Sequence, residues 1–486
     1  MYKNIEKHLL SSESTIKDAM LNINIGGRQI AIIIDEDKKL LGTVSDGDIR
    51  RALLEGHSLE SSIKKIMNEH PFCANEDYSF TKIINIMQEN ILNQIPIVNS
   101  NNQVIDIYFL HDFRNIPLSN PDITHKEIKI INEVLNTESL SIGPKIIEFE
   151  QKISNYIGTK FAIGVNSGTS ALHLCMKSYG IKDGDEVITT PFSFIASANC
   201  VLFERAKPVF VDIEEDSLCI DVDLIEEKVT EKTKAILPVH VFGHPCDMDE
   251  ILSLSRKYNL IVIEDACEAI GTEYKGKKMG TFGNVGVFAF YPNKQITTAE
   301  GGMIVTNDER ISSLCKSMRN QGRDDTDNWL AFKRLGYNYR MNELSAAMGI
   351  IQLERIDEIL AKRNSIASQY SERLKVIQDI MIPSLPQNGK MSWFVYVIRL
   401  NSEKYSRSDR DDIIAKLRRI GINCSNYFTP IHLQPFYVES FGFKIGDFPI
   451  TERVSGSTIA LPFYNNINTS QIDYVCESLK NLLQKK

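Results

Sequence analysis

Apolar positions fall into two regimes along the chain. Up to about residue 118, short runs rich in isoleucine and valine come in pairs. RQIAIIIDEDKKLLGTVSDGDIRRAL (28–53) is followed, 64 to 65 residues on, by NQIPIVNSNNQVIDIYFLHDFRN (93–115). Each copy predicts a strand, a polar turn (DEDKK or NSNNQ), a second strand, and an acidic residue opening a helix. A unit of this size cannot bury both faces of a sheet alone, so two copies, about 1–60 and 61–118, are expected to pack as a pseudo-symmetric pair. The pattern breaks at NIPLSNPDIT (115–124), whose two prolines and small polar residues mark a boundary. Beyond it, amphipathic helices alternate with FAIGV, DEVITT, PVFVDI, AILPVHV, LIVIED, VGVFAF and GGMIVTN. Strands separated by helices predict an α/β fold with a largely parallel sheet, covered on both faces, whose ligands gather where the strands end. NELSAAMGIIQLERIDEILAKRN (342–364), apolar at Leu344, Met348, Ile351, Ile356 and Ile359, predicts one long helix. WFVYVIRL and DDIIAKLRRIG then predict a smaller α/β domain. The expected domains are 1–118, 119–365 and 366–486.

Composition narrows the function. The chain has 486 residues, 43% hydrophobic, and a net charge of −8 from 55 basic and 63 acidic residues spread along its length. That balance disfavours a nucleic-acid or anionic-membrane partner. No apolar run reaches the roughly 18 residues of a membrane span, and MYKNIEKHLL carries charges where a secretory leader needs unbroken apolar residues. A cytoplasmic protein is expected. Its nine cysteines are dispersed with no CxxC pair, the usage of reduced core thiols rather than a disulfide framework.

Three strand ends carry different polar groups. After FAIGV come Asn166, Ser167, Gly168, Thr169 and Ser170 at the start of a helix, where hydroxyls and free amides form a phosphate cup, or a plain N-cap. After LIVI come Glu264 and Asp265, either of which caps a helix or serves a ligand. After VGVFAFY, Lys294 stands in YPNKQITTAEGG, a candidate for a lowered amine pKa and imine formation. Together they meet the needs of pyridoxal phosphate: a phosphate site, an acid for the pyridine nitrogen and a lysine for the Schiff base. Phe192 and Phe194 are available to face its ring. His240, His244, Cys246, Asp247 and Asp249 in HVFGHPCDMD have metal-ligand chemistry, but Gly243 and Pro245 preclude the helix that would put the two histidines on one face, and no metal is expected.

SLSIGPKIIEFE, VNSGTSALHL, DEVITTPFSFIASAN, PVHVFGHPCDMDEI, VIEDACEAIGTEYKGKKMGTFG, FAFYPNKQITTAEGGMIVTND and LGYNYRMNELSAAMG, in that order, resemble the DegT/DnrJ/EryC1/StrS aminotransferases of nucleotide sugars. The resemblance runs from about residue 124 to the end. It implies a type I aminotransferase fold with a mostly parallel central sheet and a small C-terminal α/β domain. Carried over by position, Lys294 bonds the cofactor and Asp265 pairs with its ring nitrogen. Ser167, Gly168 and Thr169 hold its phosphate, and Phe194 stacks on its ring. Glu268 stands near the ring hydroxyl, where the family usually has Gln or His, and Ala289 replaces a phosphate-binding serine found in many members. Asn338 and Arg340 match residues that reach the neighbouring subunit's cofactor, implying a homodimer with shared sites. His432 matches a substrate-side histidine, with a structural role as the alternative. The implied reaction moves nitrogen from an amino acid, L-glutamate, to a nucleotide-linked keto sugar, a 4-keto-6-deoxy sugar by the KQITTAEGG segment. Members that dehydrate sugars instead carry histidine at the position of Lys294.

The first segment resembles a tandem cystathionine-β-synthase (CBS) domain pair. The resemblance rests on Gly42-Thr43-Val44-Ser45-Asp46-Gly47-Asp48-Ile49, in which Ser45 and Asp48 match residues that hold the ribose and phosphates of an adenine nucleotide. In the second copy the corresponding places hold Asp106, Phe109 and Asp112, so one nucleotide site at most is expected, and a regulatory or purely structural module follows.

Overall fold

The computed structural model describes residues 5–324 and 331–484. Residues up to 116, together with 473–484, form one compact unit; 117–472 form another.

The first unit is a repeated β-α-β-β-α motif. Strands Leu9–Ser11, Ile30–Ile34 and Leu40–Ser45 form one three-stranded sheet, and Ala74–Asn75, Gln94–Val98 and Val104–Phe109 form the other. The copies match in register: Ile30 pairs with Ser45 as Gln94 pairs with Phe109, and both hairpins slip at the same place, between Ile33 and Ile34 and between Ile97 and Val98. The unbroken isoleucine run of the first copy has a packing cause. Successive side chains of a strand point to opposite faces; Ala31 and Ile33 pack with Ile16 and Ile49 of their own repeat. Ile30 and Ile32 pack with Val98, Val104 and Ile107 of the other. The strand is apolar throughout because it has no wet face.

The last helix, Thr469–Gln484, passes to this unit at Asp473. Tyr474 meets Phe113 edge-on at 5.6 Å. Glu477 accepts hydrogen bonds from the Phe80 amide at 2.8 Å and the Thr81 hydroxyl at 3.0 Å, the first turn of helix Phe80–Glu89. Most of this helix thus lies outside the small C-terminal domain expected over 366–486.

The second unit is built on a seven-stranded sheet in the order 161–165, 302–306, 285–289, 261–265, 233–236, 186–189, 207–210. Strand Gly302–Thr306 runs antiparallel to both neighbours, and the remaining pairs are parallel. These seven strands are the seven apolar runs. A small antiparallel sheet follows, Ile380–Met381, Tyr396–Leu400 and Thr458–Leu461. The expected long helix is two, Glu343–Glu354 and Ile356–Leu374. They break at Arg355, whose guanidinium is buried against Asp122 at 3.0 Å and Glu127 at 2.9 Å. A charge taken out of water must be paired; Glu358, one turn on, approaches to 3.6 Å, but the two carboxylates in closest contact lie more than 200 positions away, where helical periodicity carries no trace of them.

Candidate active site

Strand Phe161–Val165 leads through Asn166 into helix Gly168–Ser178. Ser167 is the N-cap, its hydroxyl accepting from the Ser170 amide at 3.1 Å, and the Ser170 hydroxyl donates to Asn166 Oδ1 at 2.7 Å. The first amides of a helix have no acceptor within it, and here that end, with Ser167, Gly168 and Thr169, lines a cavity of about 410 Å³. Gly168 is required by a close approach: a Cβ there would lie 2.8 Å from Ala289 Cβ and 3.1 Å from Cys267 Sγ.

The acidic pair at the end of strand Ile261–Asp265 divides between two tasks, because neighbouring strand residues face opposite ways. Glu264 is fully buried and accepts from the amides of Gly280 (2.7 Å), Phe282 (2.7 Å) and Gly283 (2.6 Å), pinning that loop. Asp265 faces the cavity; it accepts from Ser197 Oγ at 2.7 Å and from the Cys267 amide at 3.2 Å. Lys294 enters from the other wall, its Nζ 3.4 Å from Glu268 Oε1 and 3.9 Å from the Phe394 ring centre. Glu268 Oε2 accepts from the Phe242 amide at 2.8 Å. Burial holds the Glu268 carboxyl above its ordinary range, against the pull of Lys294 and of that amide. Phe192 is fully buried, whereas Phe194 lies at the cavity with 61% of its surface exposed.

The structure thus gathers Ser167, Gly168, Thr169, Phe194, Asp265, Glu268 and Lys294 around one cavity. Ala289 also lines it, offering a methyl where a hydroxyl would reach. Three predicted residues lie elsewhere. His432 is fully buried, Nε2 3.1 Å from Glu452 and its ring edge-on to Phe448 at 4.7 Å; burial holds its pKa below the ordinary value. Packed in this way, it belongs to an aromatic core rather than to the cavity lining. Asn338 and Arg340 lie on a segment bridged to Asn320 and Val165, with the Arg340 guanidinium on Asn320 Oδ1 at 3.2 Å, outside the cavity of their own chain. Ser197, Phe394, Tyr427 and Phe428 line the cavity without having been singled out. Ser197 stands one helical turn past Ser193, and the two hydroxyls meet at 2.7 Å, a spacing that was visible in SFIAS. Phe394 lies 100 residues from Lys294 with no local signal.

In the metal-like segment, Asp247 caps helix Met248–Tyr258, Asp249 pairs with Lys275, and His240 meets Glu264 at 3.3 Å. Among the described residues no group of three or more His, Cys, Asp or Glu side chains is placed to hold a metal.

In the first unit, Ser45 and Asp48 form a capping box at helix Asp46–Leu54: the Ser45 hydroxyl accepts from the Asp48 amide, and Asp48 Oδ2 accepts from the Ser45 amide and hydroxyl, both at 2.7 Å. Arg51 takes the other carboxylate oxygen. At the corresponding place of the second copy, Asp112 is paired at 2.9 Å by Arg28 of the first, whose guanidinium lies over the Phe109 ring at 4.6 Å.

The cavity fits pyridoxal phosphate on its own terms: amides and hydroxyls for a dianion, a wall with no room for a Cβ, a buried carboxylate, an amine and an uncovered aromatic face. The profile of the DegT/DnrJ/EryC1/StrS aminotransferase family matches residues 121–480. The chain belongs to this family. It is a PLP-dependent aminotransferase of type I fold. The CBS-domain profile matches residues 8–55 and 63–118. GDP-perosamine synthase of Caulobacter vibrioides is 38% identical over 376 residues, covering 77% of this chain and all of that protein. The spore coat polysaccharide biosynthesis protein SpsC of Bacillus subtilis is 35% identical over 76% of this chain and 97% of its own length. Among solved structures, Helicobacter pylori PseC, an aminotransferase involved in the biosynthesis of pseudoaminic acid, superposes with a TM-score of 0.73 at 30% identity, over 76% of this chain and all of that one. Among the described residues no helix is long and apolar enough to cross a membrane.

Proposed function

We propose that the protein aminates a nucleotide-linked 4-keto-6-deoxy sugar with nitrogen from L-glutamate, in making an amino sugar for a surface polysaccharide or glycan. The observation that carries this reading is the convergence of Lys294, Asp265 and the helix end at Ser167–Thr169 on one cavity. Its relatives include proteins whose names state perosamine synthesis and spore coat polysaccharide biosynthesis, which supports a sugar acceptor.

Pyridoxal phosphate, when bound, supplies an electron sink and a carrier for the amino group. The protein's residues do the rest. Ser167, Gly168 and Thr169 hold the phosphate, with the helix end favouring its charge. Asp265, held facing the cavity by Ser197 and the Cys267 amide, is the carboxylate that would pair with the ring nitrogen. Phe194 covers one ring face. Lys294 is the base that would take up and return the proton at the donor's α-carbon; a primary amine at this place serves transamination, whereas the family's dehydrating members carry histidine. Glu268 lies against that amine and fixes its direction. Asn338 and Arg340 serve the cavity of a second subunit, which makes the working protein a homodimer in the cytoplasm.

The test is a panel of keto-sugar nucleotides offered with glutamate. Aminated product and 2-oxoglutarate are expected from a 4-keto-6-deoxy sugar nucleotide, and Lys294→Ala should lower turnover at least a thousandfold. Equal turnover in that variant would end the proposal.

The CBS pair is proposed as the regulatory module, taking an adenine nucleotide at the first repeat through Ser45 and Asp48. Calorimetry with AMP and ATP tests this: binding should be lost in Asp48→Ala. Unchanged binding there would refute it.

A further inference from the structure

Lys294 is held by two groups, and the backbone that carries one of them, the Phe394 ring, is gripped by a buried arginine that does not touch the lysine. Phe394, whose ring centre lies 3.9 Å from Lys294 Nζ, follows Trp393, a non-glycine residue with φ +53°. Phe242, whose amide donates to Glu268 Oε2, has φ +57°. Side chains with a Cβ rarely adopt this left-handed region, so each persists only where its surroundings over-determine it. The two are tied together, the Phe394 amide donating to the Phe242 carbonyl at 3.2 Å. Arg363, 4% exposed, holds the other side. Its Nε donates to the Trp393 carbonyl and its Nη2 to the Phe394 carbonyl, both at 2.7 Å, while Nη1 reaches Asn465 Oδ1 at 3.1 Å. Among the described residues no carboxylate pairs with this guanidinium, and burial lowers its pKa to about 10. A buried cation placed on main-chain carbonyls is costly, and here it is placed on the carbonyl of the strained Trp393 and on that of Phe394, whose ring meets the reactive amine.

We infer that Glu268 and the Phe394 ring form a resting site for the Lys294 side chain while its amine is free, and that Arg363 is the positioning residue that builds this site through the backbone of Trp393 and Phe394. The inference rests on Lys294 being the reactive amine of the proposed transamination. A cation is attracted both to the face of an aromatic ring and to a carboxylate. A lysine held between the two returns to one place each time it is released, which is what orientation demands of a group that must act repeatedly on one atom.

The test uses the apoprotein, in which the amine is free, and reads Lys294 itself. The rate of its acetylation by acetic anhydride is measured by mass spectrometry relative to exposed lysines of the same chain. Phe394→Leu removes the ring and should raise the relative rate about fivefold, the equivalent of a contact of about 1 kcal/mol. Phe394→Tyr keeps the ring and should restore the native rate. Arg363→Lys cannot span both carbonyls and should match Phe394→Leu, and the two changes combined should exceed neither alone, because they act on one contact. An unchanged rate in Phe394→Leu overturns the resting site, and this variant decides the matter even where Arg363→Lys does not fold. A folded Arg363→Lys with the native rate overturns the role of Arg363. Failure of the enzyme reading would show instead as turnover in Lys294→Ala, and the acetylation result is independent of it.

Discussion

Single atoms decide how tightly the cavity grips its cofactor. Ala289 presents a methyl beside the phosphate cup, and Ala289→Ser adds a hydroxyl there. One further hydrogen bond to a charged group is worth about 1.5–3 kcal/mol, so cofactor affinity in an absorbance titration should rise about tenfold or more. Gly168→Ala does the reverse. Its new Cβ would meet Ala289 Cβ at 2.8 Å and force the cup off its floor. Overpacking of this kind typically costs about 1–3 kcal/mol, and at least a tenfold loss of affinity is expected. Lys294, Asp265 and the cup were legible in the sequence because each sits where an apolar run stops. Phe394 was not, since a side chain that reaches a site from another element leaves no mark beside it.

At the scale of elements, the capping contacts of the first unit make separable predictions. Ser45→Ala removes the acceptor for the Asp48 amide and should cost about 1 kcal/mol in denaturant unfolding. Glu477 caps helix Phe80–Glu89 from a segment nearly 400 positions away. Glu477→Ala should destabilise the first unit by about 1 kcal/mol and speed hydrogen exchange over residues 473–484 as well as over the first turn of that helix. Faster exchange confined to 473–484 would show the cap to be idle. The seven strands of the large sheet were readable as apolar runs because strands buried on both faces need no polar positions. The break at Arg355 was not, because helix periodicity continues straight through it and a distant ion pair, not local propensity, sets the bend.

For the molecule as a whole, pH acts through Asp106, which stands where the first repeat has Gly42. Burial raises its pKa from 3.8 to about 6. Its folded form therefore favours the proton: the contribution to stability is present below pH 4 and is lost as pH rises through about 6. Asp106→Asn should stabilise the first unit at pH 7.5 by on the order of 2 kcal/mol and flatten its stability between pH 4 and 7. A chain whose melting temperature keeps the same pH slope after the substitution would assign that slope to other groups. The sequence by itself determined the repeat, the succession of strands and helices, and the lysine and aspartate at strand ends, because these follow from periodicity and from the chain chemistry at each turn. Only the tertiary structure decided which unit the last helix joins, that His432 is packed among aromatic rings, and what surrounds the Lys294 amine. Those outcomes depend on contacts between residues far apart in the chain, where burial and charge pairing outweigh any local preference.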